Sequence, residues 1–243
     1  MTATTTRVRE ALAWLERRGS KRVREDMVSR YGIVTPRAFG VPMRLIQELG
    51  KRLGRDHGLA AALWDTGWYE ARTLAAYVDE PERVTATQMD RWAREFDNWA
   101  ICDTLCFCLF DRTPHAWRKV DQWSRRREEF VKRSAFALLA SLALHDKRTG
   151  DAPFLRSLAL IEGAAADERN FVKKGVSWAL RSIGRRSPAL SDAAEKTARR
   201  LVESSERTAR WVGREGLRDL TKWKKRQRGA KRTEAPRGSP TRP

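Results

Sequence analysis

The sequence predicts an all-α protein in which pairs of helices stack into a solenoid. Apolar residues recur with the helical period along nearly the whole chain. Alternating runs rich in β-branched residues, which would indicate strands, are absent from the sequence. A motif in the second half also returns after about 40 residues, a spacing typical of solenoids with two helices per repeat.

The repeated motif is clearest in FVKRSAFALLASL, which begins at Phe130. The segment FVKKGVSWALRSI begins 41 residues later at Phe171, and a weaker copy begins 40 residues further on at Trp211. Such a period indicates HEAT or armadillo repeats, whose equivalent residues form rows on one surface. We expect one such row to be a basic groove for a phosphate backbone, ordinary solvated charges being the alternative. The row consists of Arg133, Lys174 and Arg214, with Lys132 and Lys173 beside its first two members.

Helix boundaries follow from caps and helix breakers. Thr35 and Pro36 are predicted to be the N-cap and first residue of a helix, and Pro42 is expected to kink it. Thr66 and Gly67 separate two further helices. The expected helices are 5–18, 20–30, 36–53, 56–65, 68–78, 85–96, 98–110, 115–124, 127–145, 151–164, 167–185, 188–204 and 206–221.

We expect one folded domain over residues 1–222, followed by a basic, disordered C-terminal tail over 223–243. From Gln227 onward the sequence mixes Pro, Gly and Ser with Lys and Arg, a composition that cannot bury enough apolar surface to fold. The rest of the chain has enough residues and apolar content for a substantial core.

The net charge of +19 favours a polyanionic partner, nucleic acid first, with a basic bias of the host's proteins as the alternative. Residues 222–243 hold nine Lys or Arg and one Glu, so +11 belongs to the rest of the chain. A protein-binding scaffold would be expected to carry mixed charge. An RNA-binding repeat protein would be expected to repeat its base-reading side chains, and no such pattern is seen.

The sequence also bears on cellular location and on cofactors. The polar start, Met1–Thr6, is followed at once by Arg7, so we expect no signal peptide, and no run of 18 apolar residues indicates a membrane span. Three clustered cysteines, Cys102, Cys106 and Cys108, fit core positions in a reducing compartment and lack metal-ligand spacing. We therefore expect a cytoplasmic protein of bacterial type, associated with the nucleoid through DNA, with no metal and no cofactor.

The segment FDNWAICDTLCFCLF, residues 96–110, holds the candidate reactive group. Trp99 and Asp103 are four residues apart, which places both on one face of a helix. A carboxylate among apolar residues is costly unless it is paired or lines a site. Asp103 is therefore a candidate site residue, and a carboxylate of the first helical turn or one bonded to a neighbouring helix is the alternative.

Several motifs in order resemble those of the DNA alkylation repair proteins built from HEAT-like repeats, the AlkD-like alkylpurine DNA glycosylases. These are Trp99-x-x-x-Asp103, FVKR at 130–133, KKGVSWALRSIG at 173–184 and the turn at 32–36, Gly-Ile-x-Thr-Pro. The resemblance covers roughly residues 20–220, and the first helix, the surroundings of Pro42 and the tail match poorly or lie outside it.

The resemblance implies a right-handed superhelical α-solenoid whose concave face binds double-stranded DNA, acting as a monomer. It implies removal of cationic N3- or N7-alkylated purines by cleavage of the N-glycosidic bond. Asp103 matches the family's catalytic aspartate, and Trp99 and Trp178 match two tryptophans that flank the lesion. Arg133 and Arg181 match basic residues near the DNA backbone.

The chemistry of these residue types is consistent with that activity. An alkylated cationic purine leaves the sugar as a neutral base, so no acid is needed and one ionised carboxylate suffices beside the developing oxocarbenium charge. Indole faces attract cations. A non-catalytic HEAT-like protein that binds distorted or branched DNA is the alternative, and the presence of Asp103 with both tryptophans favours the enzyme.

Overall fold

The structure, a computed structural model, describes residues 2–234, with side chains described as far as residue 227. Within this range the chain is helical and has no strand. The helices are α1 (Ala3–Glu16), α2 (Lys21–Ser29), α3 (Met43–Leu53), α4 (His57–Asp65), α5 (Tyr69–Val78), α6 (Ala86–Arg94), α7 (Trp99–Cys108), α8 (Ala116–Trp123), α9 (Glu129–His145), α10 (Asp151–Ala164), α11 (Asn170–Gly184), α12 (Pro188–Val202) and α13 (Arg207–Glu234), with a 3-10 turn at Phe110–Arg112.

Side-chain caps explain where many of these helices begin. A Ser, Thr, Asp or Asn oxygen accepts a backbone N–H of the first turn and satisfies a donor that the helix itself leaves open. The capping residues are Thr2, Ser20, Asp56, Thr85, Asn98 and Ser187.

The helices form two layers. Alternate helices α3, α5, α7, α9, α11 and α13 pack against one another in succession, and we call them the site layer. Helices α4, α8, α10 and α12 pack behind them, each against the next or previous helix of the site layer. Stacking of helix pairs in this way buries one continuous core along the chain.

Helix α9 contributes the largest number of buried residues to the site layer. Twelve of its seventeen residues are buried, and it packs between α7 and α11. The predicted repeat equivalence is visible here, since the rings of Phe130 and Phe171 lie 5.3 Å apart on adjacent helices. Two cysteines of α7, Cys102 and Cys106, are buried against α9, and the three cysteines are free thiols.

The prediction of a helix beginning at Pro36 is wrong, because residues 30–42 are irregular and α3 begins only at Met43, after Pro42. A buried carboxylate holds this segment in place. Glu70 of α5 accepts hydrogen bonds from the backbone N–H groups of Phe39 (3.0 Å), Gly40 (2.7 Å) and Val41 (3.1 Å). These three donors are therefore satisfied without a helical turn.

The C-terminal helix crosses the predicted boundary between domain and tail at 222/223. Helix α13 continues to Glu234, so residues 223–234 are helical where a disordered tail was expected. Lys224 explains part of this extension, because its ammonium binds Asp192 (3.0 Å) and Glu195 (2.7 Å) on α12. The remainder of the predicted tail, residues 235–243, lies outside the described residues.

No helix in the described part of the chain combines the length and the apolar character that crossing a membrane requires.

Candidate nucleic-acid interface

The start of α7 fixes the two residues singled out from the sequence. The buried Asn98 carboxamide oxygen accepts the backbone N–H groups of Ala100 and Ile101, both at 3.0 Å, so Trp99 is the first helical residue. Asp103 follows one turn later. The indole Nε1 of Trp99 donates to the backbone oxygen of Tyr31 at 2.9 Å, which ties this end of α7 to the irregular segment after α2.

Asp103 forms a two-pronged ion pair with Arg133 of the adjacent helix α9. Nε of Arg133 donates to Oδ1 at 2.9 Å, and Nη2 donates to Oδ2 at 2.7 Å. The remaining guanidinium nitrogen, Nη1, donates to the backbone oxygen of Phe171 on α11 at 2.8 Å. One guanidinium therefore joins three consecutive helices of the site layer, and the Asp103 side chain is left 16% exposed.

Burial and pairing act in opposite directions on the Asp103 carboxyl. Burial raises its pKa above the ordinary value, while the charge and hydrogen bonds of Arg133 lower it, and the net direction is a rise. Because a guanidinium remains protonated over the whole working range of pH, Arg133 favours the carboxylate form. The pair therefore places both Asp103 oxygens against a cation in a largely buried setting.

A cleft of about 390 Å³ opens over this pair. Trp178 of α11 forms one wall, and its ring stacks on Phe107 with centroids 4.8 Å apart and planes 3° from parallel. Phe107 lies one turn beyond Asp103 on α7, so the stack fixes the indole beside the carboxylate. The other residues of this cleft include Arg133, Lys174, Ser177, Arg181, Trp211 and Glu215.

A neighbouring cleft of about 460 Å³ contains the other predicted tryptophan. It is formed by Trp99 together with residues of the segment after α2 and of α11. Arg133 and Lys174 line both clefts, so the two tryptophans lie on either side of the Asp103–Arg133 pair. The predicted trio Trp99, Asp103 and Trp178 is thus brought to one surface, although no single cleft holds all three.

Comparison with known proteins identifies the family of this chain. Residues 6–220 match the family described as DNA alkylation repair enzyme. The chain belongs to the DNA alkylation repair enzyme family. None of the curated protein sequences compared with it matches.

A solved structure gives the fold independently. It is described as a new family of proteins related to the HEAT-like repeat DNA glycosylases with affinity for branched DNA structures. The two structures superpose with a TM-score of 0.75 at 18% identity, over 91% of this chain and 95% of that one. The predicted all-α architecture of HEAT-like repeats is confirmed.

The predicted basic row of this DNA alkylation repair family member divides into two kinds of residue. Lys174 and Arg214 are exposed, and their side chains have no hydrogen bond or ion pair to any described residue. Arg133 differs from the prediction, because only 6% of it is exposed and its guanidinium is committed to Asp103 and Phe171. Repeat register places equivalent residues in a row, but the identity of the neighbour decides which of them reach solvent.

The other predicted basic residues are partnered as well. Lys132 binds Asp167 at 3.0 Å, and the Lys173 ammonium lies 5.5 Å from the centroid of Trp211. Arg181 donates to the backbone oxygen of Ser177 at 3.1 Å and remains at the edge of the cleft. Of the predicted basic residues, Lys174 and Arg181 line the cleft of this family member together with Arg133, whereas Lys132, Lys173 and Arg214 do not.

Sequence reasoning missed three aromatic residues of this interface. Phe107 lies at i+4 from Asp103, a spacing that already predicts a shared helix face. Trp211 is the repeat equivalent of Phe130 and Phe171, so the repeat itself could have identified it. Tyr31 supplies only a backbone oxygen to Trp99, and no sequence pattern signals such a contact.

Within the described part of the chain, no three His, Cys, Asp or Glu side chains are close enough together to hold a metal ion.

Proposed function

We propose that this chain is a DNA glycosylase of base excision repair that hydrolyses the N-glycosidic bond of cationic N3- or N7-alkylated purines in duplex DNA. The observation that carries the proposal is the Asp103 carboxylate, partly exposed at a cleft walled by Trp178, with Trp99 in the cleft beside it. Membership of the DNA alkylation repair enzyme family supports the substrate class.

A single carboxylate is enough for this reaction. The alkylated purine departs as a neutral base, so protonation of the leaving group is unnecessary, in contrast to the two-carboxylate glycosidases. In the proposed mechanism Asp103 faces the deoxyribose, stabilises the oxocarbenium-like charge and positions the attacking water. A dry surrounding strengthens this interaction, because charges attract more strongly where water is excluded.

In the proposal, the tryptophans attract the positive charge of the lesion. An indole face attracts a cation by roughly 0.5–2 kcal/mol, more when water is excluded. Trp178, held by its stack on Phe107, and Trp99, held by its bond to Tyr31, would flank the positively charged lesion. Lys174 and Arg181 at the cleft edge would bind the phosphates on either side.

The decisive experiment is base release from methylated duplex DNA by wild type and by Asp103→Asn. We expect the variant to lose base release by a factor of about 100 or more, since it removes the charge that stabilises the transition state. It should retain affinity for undamaged duplex, because Asp103 donates nothing to the phosphates.

Asp167→Asn is the matched control. Asp167 is also an ion-paired carboxylate, bound to Lys132 and Arg169, and these partners lower its pKa to about 2, but it lies outside the cleft. A loss of stability in both variants with a loss of base release only in Asp103→Asn supports the proposal. Near wild-type release by Asp103→Asn would show that Asp103 is structural, and efficient release of uracil or hypoxanthine by the wild type would contradict the restriction to cationic lesions.

The second candidate function is binding of distorted or branched DNA without base release. One observation favours it: both oxygens of Asp103 already accept hydrogen bonds from Arg133. The similar solved structure is described as having affinity for branched DNA. Absence of base release by the wild type, together with tighter binding of a four-way junction than of a linear duplex, would establish this function instead.

A further inference from the structure

A separate cleft of about 660 Å³ lies beside the C-terminal ends of α7 and α9. It is bounded by the 3-10 turn after α7, the start of α8 and the loop that follows α9. The residues proposed above for base release do not line it.

Three exposed cations surround this cleft. Arg112 comes from the 3-10 turn, and Lys147 and Arg148 come from the loop after α9. None of the three side chains has a hydrogen bond or an ion pair with any described residue. Their charges are therefore available to an anion in solution.

The two carboxylates of the cleft are held by groups other than these cations. Asp146 accepts the backbone N–H groups of Arg148 (3.1 Å) and Thr149 (3.0 Å), the Thr149 hydroxyl and the indole N–H of Trp117. The Asp111 side chain is 1% exposed, and its Oδ2 lies 2.6 Å from Nδ1 of His145, while its buried Oδ1 has no hydrogen-bond partner among the described residues. Neither carboxylate forms an ion pair with Arg112, Lys147 or Arg148.

The loop that carries Lys147 and Arg148 is held at both ends. Asp146 closes a turn on the backbone of Arg148 and Thr149. Arg186, two residues after the end of α11, donates to the backbone oxygens of Thr149 (2.5 Å) and Ala143 (3.2 Å). A positioned loop loses little conformational freedom when its cations bind a ligand.

One aromatic ring separates this cleft from the Asp103 cleft. Phe107 stacks on Trp178 at 4.8 Å and meets His145 edge-on at 5.7 Å. These two ring contacts make the Asp103 cleft and the cation-lined cleft neighbours across Phe107. The two backbones of B-form DNA lie about 6–12 Å apart across its grooves. A duplex held over Trp178 would bring its other backbone to the cations.

We propose that Arg112, Lys147 and Arg148 form a second DNA-binding site that takes the phosphodiester backbone of the opposite strand of the same duplex. This inference rests on the proposed function only in requiring that duplex DNA lies over Trp178. The site adds affinity that does not depend on base sequence or on the lesion, because its ligand is phosphate.

The test is binding of an undamaged linear duplex by Lys147→Ala/Arg148→Ala, measured by fluorescence anisotropy over a range of salt. We expect the dissociation constant to rise about tenfold. The slope of log affinity against log salt should become shallower by about 2, since two phosphate contacts are lost. Arg112→Ala should give a change of the same kind and smaller size.

Arg156→Ala/Lys196→Ala is the matched control, because it removes two exposed cations of α10 and α12 whose side chains pair with no residue that the structure describes. It lowers the net charge equally and should change the slope little. Equal slopes in the two double variants would overturn the inference while leaving base release and the proposed function intact. A loss confined to four-way junctions would overturn it by assigning the cations to a second duplex, and failure of the wild type to bind linear duplex would overturn both proposals.

Discussion

At the scale of single residues, the Asp103–Arg133 pair is the feature that the sequence could not provide. The spacing of Trp99 and Asp103 predicted a shared face, and the repeat predicted Arg133 on an equivalent surface. That these two side chains meet follows from the packing of α7 on α9, which brings residues 30 apart in sequence to 2.7 Å. Asp103 is thus bonded to a neighbouring helix, as in the alternative stated for it, and it also lines a cleft.

The pair makes a prediction about the pH dependence of base release. Burial raises the pKa of Asp103 and Arg133 lowers it, so Arg133→Gln leaves the effect of burial uncompensated. Because the ionised carboxylate is the active form in the proposed mechanism, activity is lost as pH falls through this pKa. We expect the acid limb of the base-release profile to move to higher pH in Arg133→Gln.

Lys132→Gln provides the control for this experiment, since Lys132 precedes Arg133 but binds Asp167. Its acid limb should coincide with that of the wild type. Removal of Arg133 also costs about 3–5 kcal/mol of stability by leaving a buried charge unpaired, so circular dichroism must show folded protein at each pH. An unchanged limb in folded Arg133→Gln would refute a role of Arg133 in setting the pKa.

At the scale of elements, the helical period located most helices, and non-local contacts decided the exceptions. Helices α4, α5 and α10 begin and end within a residue of their predicted bounds. The segment before α3 is not helical because Glu70, some 30 residues later, binds its backbone, and no local pattern reveals such a partner. Helix α13 extends past its predicted end, where Lys224 finds two acids on α12.

The contact between α12 and α13 gives a prediction at this scale. A Cβ at Gly213 would lie 2.6 Å from the backbone oxygen of Ala198 and 2.8 Å from the backbone nitrogen of Val202. Since backbone atoms of α12 cannot yield without moving the helix, Gly213→Ala should lower the free energy of unfolding by about 1–3 kcal/mol. Urea denaturation measures this change.

Gly163→Ala is the opposite case and serves as its control. Gly163 lies within α10, and nothing comes within 4 Å of a Cβ placed there. Because Ala is a better helix former than Gly, the free energy of unfolding of this variant should rise by up to about 1 kcal/mol. A rise in the free energy of unfolding of both variants would show that α12 and α13 are packed less closely than the structure indicates.

At the scale of the whole molecule, burial is distributed unevenly along the solenoid. Helix α9 buries twelve of its seventeen residues, whereas α2 buries only Met27. Repeat proteins have stabilities that sum over neighbouring units, so a unit with few buried contacts opens without the rest.

We therefore predict a gradient of backbone amide protection. Amides of α9 and α11 should exchange only through global unfolding, and those of α2 should exchange much faster through local opening. Hydrogen–deuterium exchange followed by mass spectrometry measures both sets in one experiment. Uniform protection along the chain would contradict the gradient and indicate that the solenoid unfolds as one unit.

The Asp103–Arg133 pair also limits how this protein can change in descent. A single substitution that removed the carboxylate would leave the 6% exposed Arg133 without its counter-charge. Loss of the aspartate would therefore lower the stability of the fold whether or not the aspartate takes part in catalysis. The two positions can be lost together far more easily than one at a time. Selection for a folded chain alone would keep the aspartate in descendants that no longer used it.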